Sequence, residues 1–218
     1  MGLRSLFDDP PAPLPQVESL GKGAFLFRGF ALGAAEALLH AVDAVAAHAP
    51  FRHMITPGGH RMSVAMTNCG AFGWVSDARG YRYDPVDPVT KTPWPAMPAI
   101  FLDLAREAAT RAGFDDFDTD VCLVNRYAPG ARLSLHQDRD EHNLRAPIVS
   151  VSLGLPATFL FGGLERTVRP SRYPVVHGDV AVWGGPSRMA YHGVAPLKEG
   201  EHPATGRCRI NLTFRRAR

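Results

Sequence analysis

Apolar and polar residues alternate along this chain in two ways, with a helical period in two stretches and a two-residue period in many short ones. Residues 34–47 place Leu38, Leu39, Val42, Val45 and Ala46 at helical spacing, which predicts an amphipathic helix. Residues 96–112 predict a second, with Phe101, Leu104, Ala105, Ala108 and Ala112 as its apolar stripe. Asp103, Arg106, Glu107 and Arg111 form its wet face. A short strand pattern covers 23–28. Beyond residue 120 the pattern changes to β-rich runs at 121–127, 148–153, 158–161, 173–176, 180–183, 191–194 and 207–214, separated by Gly and Pro clusters. Closely spaced strands of this kind predict an all-β sandwich or barrel, for which a jelly roll is one solution.

Two segments stand outside that pattern. Residues 1–22 read as an irregular lead-in, extended where prolines crowd residues 9–15. Residues 56–95 are punctuated by Gly and Pro and carry Trp74, Tyr81, Tyr83 and Trp94. A long stretch of this type in a compact domain is often a cover over a site.

Composition narrows the class without fixing the chemistry. At 218 residues, 45% hydrophobic and 21% charged, the chain fits one domain with a sizeable core and leaves little room for a second. A net charge of +3 permits a phosphate-bearing partner but is too small to demand one. Cys69, Cys122 and Cys208 are widely separated, which suggests neither a disulfide framework nor a zinc site and fits a reducing cytoplasm. With no signal-like start and no run of membrane-spanning length, the expectation is a soluble cytoplasmic protein.

Candidate chemistry enters with Leu133-Ser134-Leu135-His136-Gln137-Asp138 and, far downstream, Tyr191-His192-Gly193. In an extended stretch His136 and Asp138 share a face, and a second imidazole from His192 would complete a two-histidine, one-carboxylate set. That set holds iron(II) with positions left open for a co-substrate and dioxygen. The segment 208–215 alternates strictly: Ile210, Leu212 and Phe214 face one way, Arg209, Asn211, Thr213 and Arg215 the other. Taken alone this reads as an edge strand with one wet face. Following an iron triad, two arginines separated by roughly 20 Å of strand read better as a clamp for the two carboxylates of 2-oxoglutarate. His177-Gly178-Asp179 repeats the His-x-Asp spacing, but its flanking β-rich runs make it a hairpin connection. His40, His48, His53, His142 and His202 have no partner at metal-ligand spacing.

Taken in order, His136-x-Asp138, His192 and Arg209-x-Asn211-x-Thr213-Phe214-Arg215 resemble the signature of the AlkB family of iron(II)- and 2-oxoglutarate-dependent dioxygenases. The similarity extends to residues 56–59, 62–70, 94–98, 123–130 and 145–152, and covers nearly all of the chain from about Ala24 to Arg216. It implies an α+β, mainly β fold: a double-stranded β-helix (jelly-roll) core over 120–216, N-terminal helices buttressing one sheet, and a nucleotide-recognition lid over 56–95. It implies iron(II), 2-oxoglutarate and dioxygen, and oxidative removal of methyl groups from bases such as 1-methyladenine and 3-methylcytosine. The expected partner is alkylated single-stranded or duplex DNA, with RNA left open, and the protein is expected to act as a monomer away from membranes.

The same resemblance assigns Asn125, Tyr127, Arg209, Asn211 and Arg215 to 2-oxoglutarate, with Arg209 on its distal carboxylate and Arg215 nearer the iron. It sets Trp74 against one face of the target base with the His136 ring near the other. Tyr81 and Tyr83 become contacts to the nucleic-acid backbone or sugar, Asp140 an attractor for a cationic base, and Arg166 a further substrate contact. Thr56, Met66 and Arg132 complete the strand-contact candidates. The chain departs from the family pattern at His60, where a tyrosine is expected, and at Ala190, where a bulky aromatic is expected. Two other readings share some of these residues: an oxygenase acting on a protein or small molecule, and a nucleic-acid-binding module with a vestigial metal site.

Overall fold

A computed structural model describes residues 16–218, so the proline-rich stretch at 9–15 lies outside the described residues. Its strands are β1 (Val17–Gly21), β2 (Ala24–Phe27), β3 (Arg52–Ile55), β4 (Arg61–Gly70), β5 (Gly73–Asp77), β6 (Gly80–Asp84), β7 (Val121–Tyr127) and β8 (Leu133–His136). They continue with β9 (Ile148–Gly154), β10 (Ala157–Phe161), β11 (Ser171–Val175), β12 (Val180–Trp183), β13 (His192–Val194) and β14 (Arg209–Arg215). Helices α1 (Ala35–His48) and α2 (Ala99–Arg111) precede β7. The main sheet has eight strands in the order β1-β2-β12-β9-β14-β7-β4-β3, and a four-stranded sheet runs β11-β10-β13-β8. Hairpin β5–β6 stands apart as a two-stranded ribbon. All the pairings are antiparallel.

Two apolar layers follow from strand alternation. Cys122 and Val124 of β7, Val149, Val151 and Leu153 of β9, and Ile210, Leu212 and Phe214 of β14 point to the outer face. They meet Leu38, Val42 and Val45 of α1 and Phe101, Leu104, Ala105 and Ala108 of α2, so both helices buttress one sheet as expected. Their neighbours on the same strands, including Leu123, Tyr127 and Ile148, join Phe159, Phe161 and Val194 in the second layer, between the sheets. Truncating one buried leucine in either layer should cost about 2–5 kcal/mol.

Several expectations are corrected. Residues 17–21 are paired with β2 and so are not an irregular lead-in. Helix α2 begins at Ala99 rather than 96, because Pro95 and Pro98 hold the residues before them out of the helical region. The stretch at 56–95 is not all loop: β4 is a ten-residue strand between β3 and β7. Its polar Thr67 and Asn68 hid it. Both are buried and bonded, Thr67 Oγ1 donating to Ala49 O at 2.5 Å and Asn68 to the Trp74 backbone. β14 is no wet edge either, since it pairs with β7 and β9 and every residue is buried.

His177-Gly178-Asp179 is not a hairpin but the corner where the chain leaves β11 in one sheet for β12 in the other. Asp179 is spent there, accepting from Arg28 Nη1 and from the N–H groups of Gly29 and Val176 at 2.9–3.0 Å. His177 Nδ1 accepts from Gly154 N–H at 2.9 Å, and its ring lies 4.5 Å from that of His202. Burial and the neighbouring imidazole both lower the His177 pKa from its ordinary value. As pH falls the unfolded chain therefore takes up this proton first, and stability present above about pH 6.5 is lost as pH drops through the native value. Urea unfolding followed across that range should show the loss, and His177→Gln, which keeps an acceptor for Gly154, should remove His177's share of it.

Candidate active site

A cavity of about 400 Å³ opens between the two sheets, with a polar floor set into otherwise apolar walls. Antiparallel register delivers the floor. His192 of β13 faces His136 of β8, and Asn211 of β14 faces Asn125 of β7 and Ser152 of β9. His136, Asp138 and His192 offer ligand atoms that all lie within 4.8 Å of one another. Asp138 bridges the imidazoles, Oδ1 standing 3.6 Å from His136 Nε2 and Oδ2 3.6 Å from His192 Nε2.

Each ring is oriented by its other nitrogen. His136 Nδ1 is 2.9 Å from Ser134 O and His192 Nδ1 is 3.0 Å from Ala190 O. Donating Nδ1–H to a carbonyl leaves the Nε2 lone pair of each ring free for a metal. Burial and the nearby His192 push the His136 pKa down to about 4, so that ring is neutral near pH 7. Burial opposes charge on Asp138, but the Arg215 guanidinium outweighs it and holds the carboxyl well below the usual carboxylate range. Neutral imidazoles and an ionised carboxylate are the protonation states a divalent ion requires. The donor set fits iron(II), with two nitrogens, one oxygen and open positions.

The rest of the floor fits a dicarboxylate. Arg209 is fully enclosed, with one nitrogen donating to Ser152 Oγ at 2.9 Å and the guanidinium 5.0 Å from the Tyr127 ring centre. Its Nε and Nη1 are buried and have no partner among the described residues. Burial lowers its pKa, the signature of a cation with no facing anion. An uncompensated buried guanidinium is costly, and a ligand carboxylate would satisfy it bidentately. Arg215 differs, being held by Asp138 Oδ2 at 2.7 Å with only Nη1 unpartnered. Asn211 is spent on protein, donating to Ser150 Oγ and Val151 O and accepting from Asn125 and Thr213. It positions its neighbours, whereas Asn125 Oδ1 stays unpartnered.

At the mouth, Trp74 and Tyr81 of the β5–β6 hairpin stack with ring centres 5.6 Å apart and planes 13° off parallel. Trp74 Nε1 donates to Asp140 Oδ2 at 3.0 Å, and Arg166 and Met66 also line the cavity. Asn68 binds both backbone groups of Trp74, Nδ2 to its carbonyl at 3.1 Å and Oδ1 from its N–H at 3.0 Å. Sequence reading missed this anchor, for which Asn inside an otherwise apolar strand was the available signal.

One expected substrate contact is buried, and two lie outside the cavity, where only the flanking strand could meet them. Tyr83 is 6% exposed and donates to Glu141 Oε1 at 2.5 Å, so it does not reach a nucleic-acid backbone. Tyr81 and Tyr83 share one face of β6, but Tyr83, opposite Trp74, is enclosed against Glu141, whereas Tyr81 stands half-exposed nearer the hairpin turn. Thr56 sits in the β3–β4 turn, accepting from His60 N–H, and Arg132 is a surface residue whose backbone bonds Ser63; neither lines the cavity.

A β-sandwich whose two sheets converge on two histidines, one carboxylate and a buried arginine is the framework of a 2-oxoglutarate-using non-haem iron oxygenase. The chain belongs to the 2OG-Fe(II) oxygenase superfamily, whose sequence profile matches residues 23–215, and within it to the AlkB family. It is 60% identical to the "Alpha-ketoglutarate-dependent dioxygenase AlkB" of Escherichia coli (strain K12), over 93% of this chain and 94% of that protein. It is 31% identical over 131 residues to the Homo sapiens "Nucleic acid dioxygenase ALKBH1", spanning 59% of this chain and 33% of that one. The solved structure of OsALKBH1 superposes with a TM-score of 0.81 at 26% identity, covering 92% of this chain and 100% of that one. Iron(II) is accordingly its metal, and 2-oxoglutarate and dioxygen its co-substrates. No helix among the described residues is long and apolar enough to cross a membrane.

At Gly193 β13 runs close against the backbone of β8. A Cβ there would lie 2.6 Å from Leu133 O and 3.2 Å from Ser134 O, both backbone. Gly193→Ala should therefore push His192 away from His136. The expected result is metal affinity about tenfold weaker or worse, measured by cobalt(II) titration of a variant whose circular dichroism is unchanged.

Proposed function

We propose that this protein oxidatively demethylates N-alkylated bases such as 1-methyladenine and 3-methylcytosine in DNA, and in RNA as a second polymer, reversing alkylation damage directly. One observation carries this: a single cavity joins a metal-ligating triad, an unpartnered buried arginine and an exposed aromatic stack beside a carboxylate. The names of its relatives, an AlkB dioxygenase and a nucleic acid dioxygenase, support the same substrate class.

His136, Asp138 and His192 would hold iron(II). Arg209 would take the distal carboxylate of 2-oxoglutarate, with Tyr127 and Asn125 beside it and Arg215 steadying the iron end through Asp138. Iron bound there supplies the oxidising chemistry that turns 2-oxoglutarate and dioxygen into succinate and carbon dioxide and hydroxylates the methyl group. The hydroxymethyl product then loses formaldehyde and leaves the restored base. The chain's own part is placement. Trp74, backed by Tyr81, offers a flat surface to a base taken out of its stack, and the His136 ring stands on the other side. Asp140 spends one oxygen on Trp74 and keeps the other for the positive charge of a methylated ring. Arg166 and Tyr81 at the rim would meet the flanking strand. Apolar walls from both sheets keep water off the reacting methyl group. The sandwich with its hairpin is proposed as one catalytic unit, acting as a monomer on single-stranded or duplex DNA.

The test is incubation with a 3-methylcytosine oligonucleotide, iron(II), ascorbate and 2-oxoglutarate, with formaldehyde and restored cytosine as the expected products. Turnover of 2-oxoglutarate without base restoration would instead point to a protein or small-molecule substrate. Two variant results are also expected. His136→Ala and Asp138→Ala should abolish 2-oxoglutarate turnover, which a merely binding module would not show. Arg209→Ala should raise KM for 2-oxoglutarate about 100-fold, the worth of one buried charge-assisted pair.

A further inference from the structure

Behind the triad lies a buried line of charge whose far members, Arg188 and Glu141, the reaction above does not use. Arg188 and Glu141 have side chains 3% and 1% exposed. Arg188 Nη2 meets Glu141 Oε2 at 3.2 Å, Nη1 donates to the Asp138 carbonyl at 2.8 Å, and Nε donates to Ala146 O at 2.9 Å. Glu141 Oε1 lies 3.4 Å from Arg215 Nε, and Arg215 in turn grips Asp138 Oδ2 at 2.7 Å. Signs alternate along the line: Arg188, Glu141, Arg215, Asp138. Two cations and two carboxylates balance, so none is buried without an opposite charge.

One neutral group joins this line from outside. The Tyr83 hydroxyl, on the hairpin that carries Trp74 and Tyr81, donates to Glu141 Oε1, the same oxygen that faces Arg215. Burial and the facing carboxylates raise the phenol's pKa well above its ordinary value, Arg215 opposing, so the group stays a donor. A second tie runs in parallel, from Trp74 Nε1 to Asp140, the neighbour of Glu141 in sequence. The hairpin is thus bonded at two points to the short segment that follows the ligand Asp138.

We propose that Tyr83 and Glu141 are positioning residues that couple the seating of substrate on the hairpin to the geometry of the metal ligand Asp138. With Tyr83 donating, part of the Glu141 charge is satisfied and Arg215 is left to Asp138. When the hairpin moves and the hydroxyl withdraws, Glu141 draws Arg215 more strongly, and the grip on Asp138 Oδ2 loosens. A single arginine shared between two carboxylates transmits the position of the lid, by the differential contact that coupling between sites requires. This rests on reading the cavity mouth as the seat of an alkylated base.

The test uses the full chain loaded with cobalt(II) and 2-oxoglutarate without oxygen. A 3-methylcytosine oligonucleotide is added while the cobalt visible spectrum and fluorescence anisotropy are followed together. The wild type should bind and show a spectral shift. Tyr83→Phe, which removes only the hydroxyl, should bind with an unchanged cobalt spectrum. In iron(II) turnover its kcat should fall about five- to tenfold, the scale of one buried hydrogen bond, with KM for the oligonucleotide near wild type. Glu141→Gln gives an independent check, since it keeps an acceptor for Tyr83 but drops the charge, and it should silence the shift likewise. A wild-type-sized shift in either folded variant overturns the coupling, and so does binding to wild type with no shift. Absence of binding to wild type is a different failure, because it removes the nucleic-acid reading itself.

Discussion

The structure depends on β14 being buried on both faces while carrying two arginines. One face, Ile210, Leu212 and Phe214, is fixed against the helices by apolar packing, and a one-residue slip would exchange the two faces completely. Because that register is locked by β7 on one side and β9 on the other, Arg209 and Arg215 have no route to solvent. Their charge must be met inside the protein. Asp138 meets it for Arg215, and the unmet donors of Arg209 define what a ligand has to bring.

From that constraint the electrostatics of the cavity follow in order. Arg215 holds Asp138 ionised, Asp138 stands between two imidazoles, and backbone carbonyls keep both rings turned. The pieces come from strands in both sheets, so the centre exists only when the sandwich is closed. Hairpin β5–β6 belongs to neither sheet and supplies Trp74 and Tyr81 at the cavity mouth.

Much of this was legible in the sequence, for identifiable reasons. β-rich runs between Gly and Pro clusters located β7 and β12 to the residue, strict alternation located β14 within two, and helical spacing located α1 and α2, whose apolar stripes meet one sheet. The triad was legible because His136-x-Asp138 sits on strand spacing. What failed was polarity read as exposure. Thr67 and Asn68 are polar and buried, which made β4 look like loop, and Tyr83 is a tyrosine whose hydroxyl is turned inward. The partner of each is distant in sequence: Ala49 for Thr67, Glu141 for Tyr83. Motif spacing likewise says nothing of the bonds a side chain makes, and Asn211 lines the cavity while its amide is held by Ser150, Val151 and Thr213.

The ribbon of β5 and β6 has a further consequence. Two strands alone are marginal in water, so its order is borrowed from side-chain ties: the Asn68 amide gripping the Trp74 backbone, Trp74 Nε1 on Asp140, Ser76 Oγ on Ile55 O, Tyr83 on Glu141, and Trp94 Nε1 on Asp84 O. Those ties, and not the two sheets, set how firmly the ribbon is held over the cavity. Tolerance for bulkier lesions is then a question of compliance, governed by how cheaply those few tethers stretch rather than by any fixed width of the slot they cover.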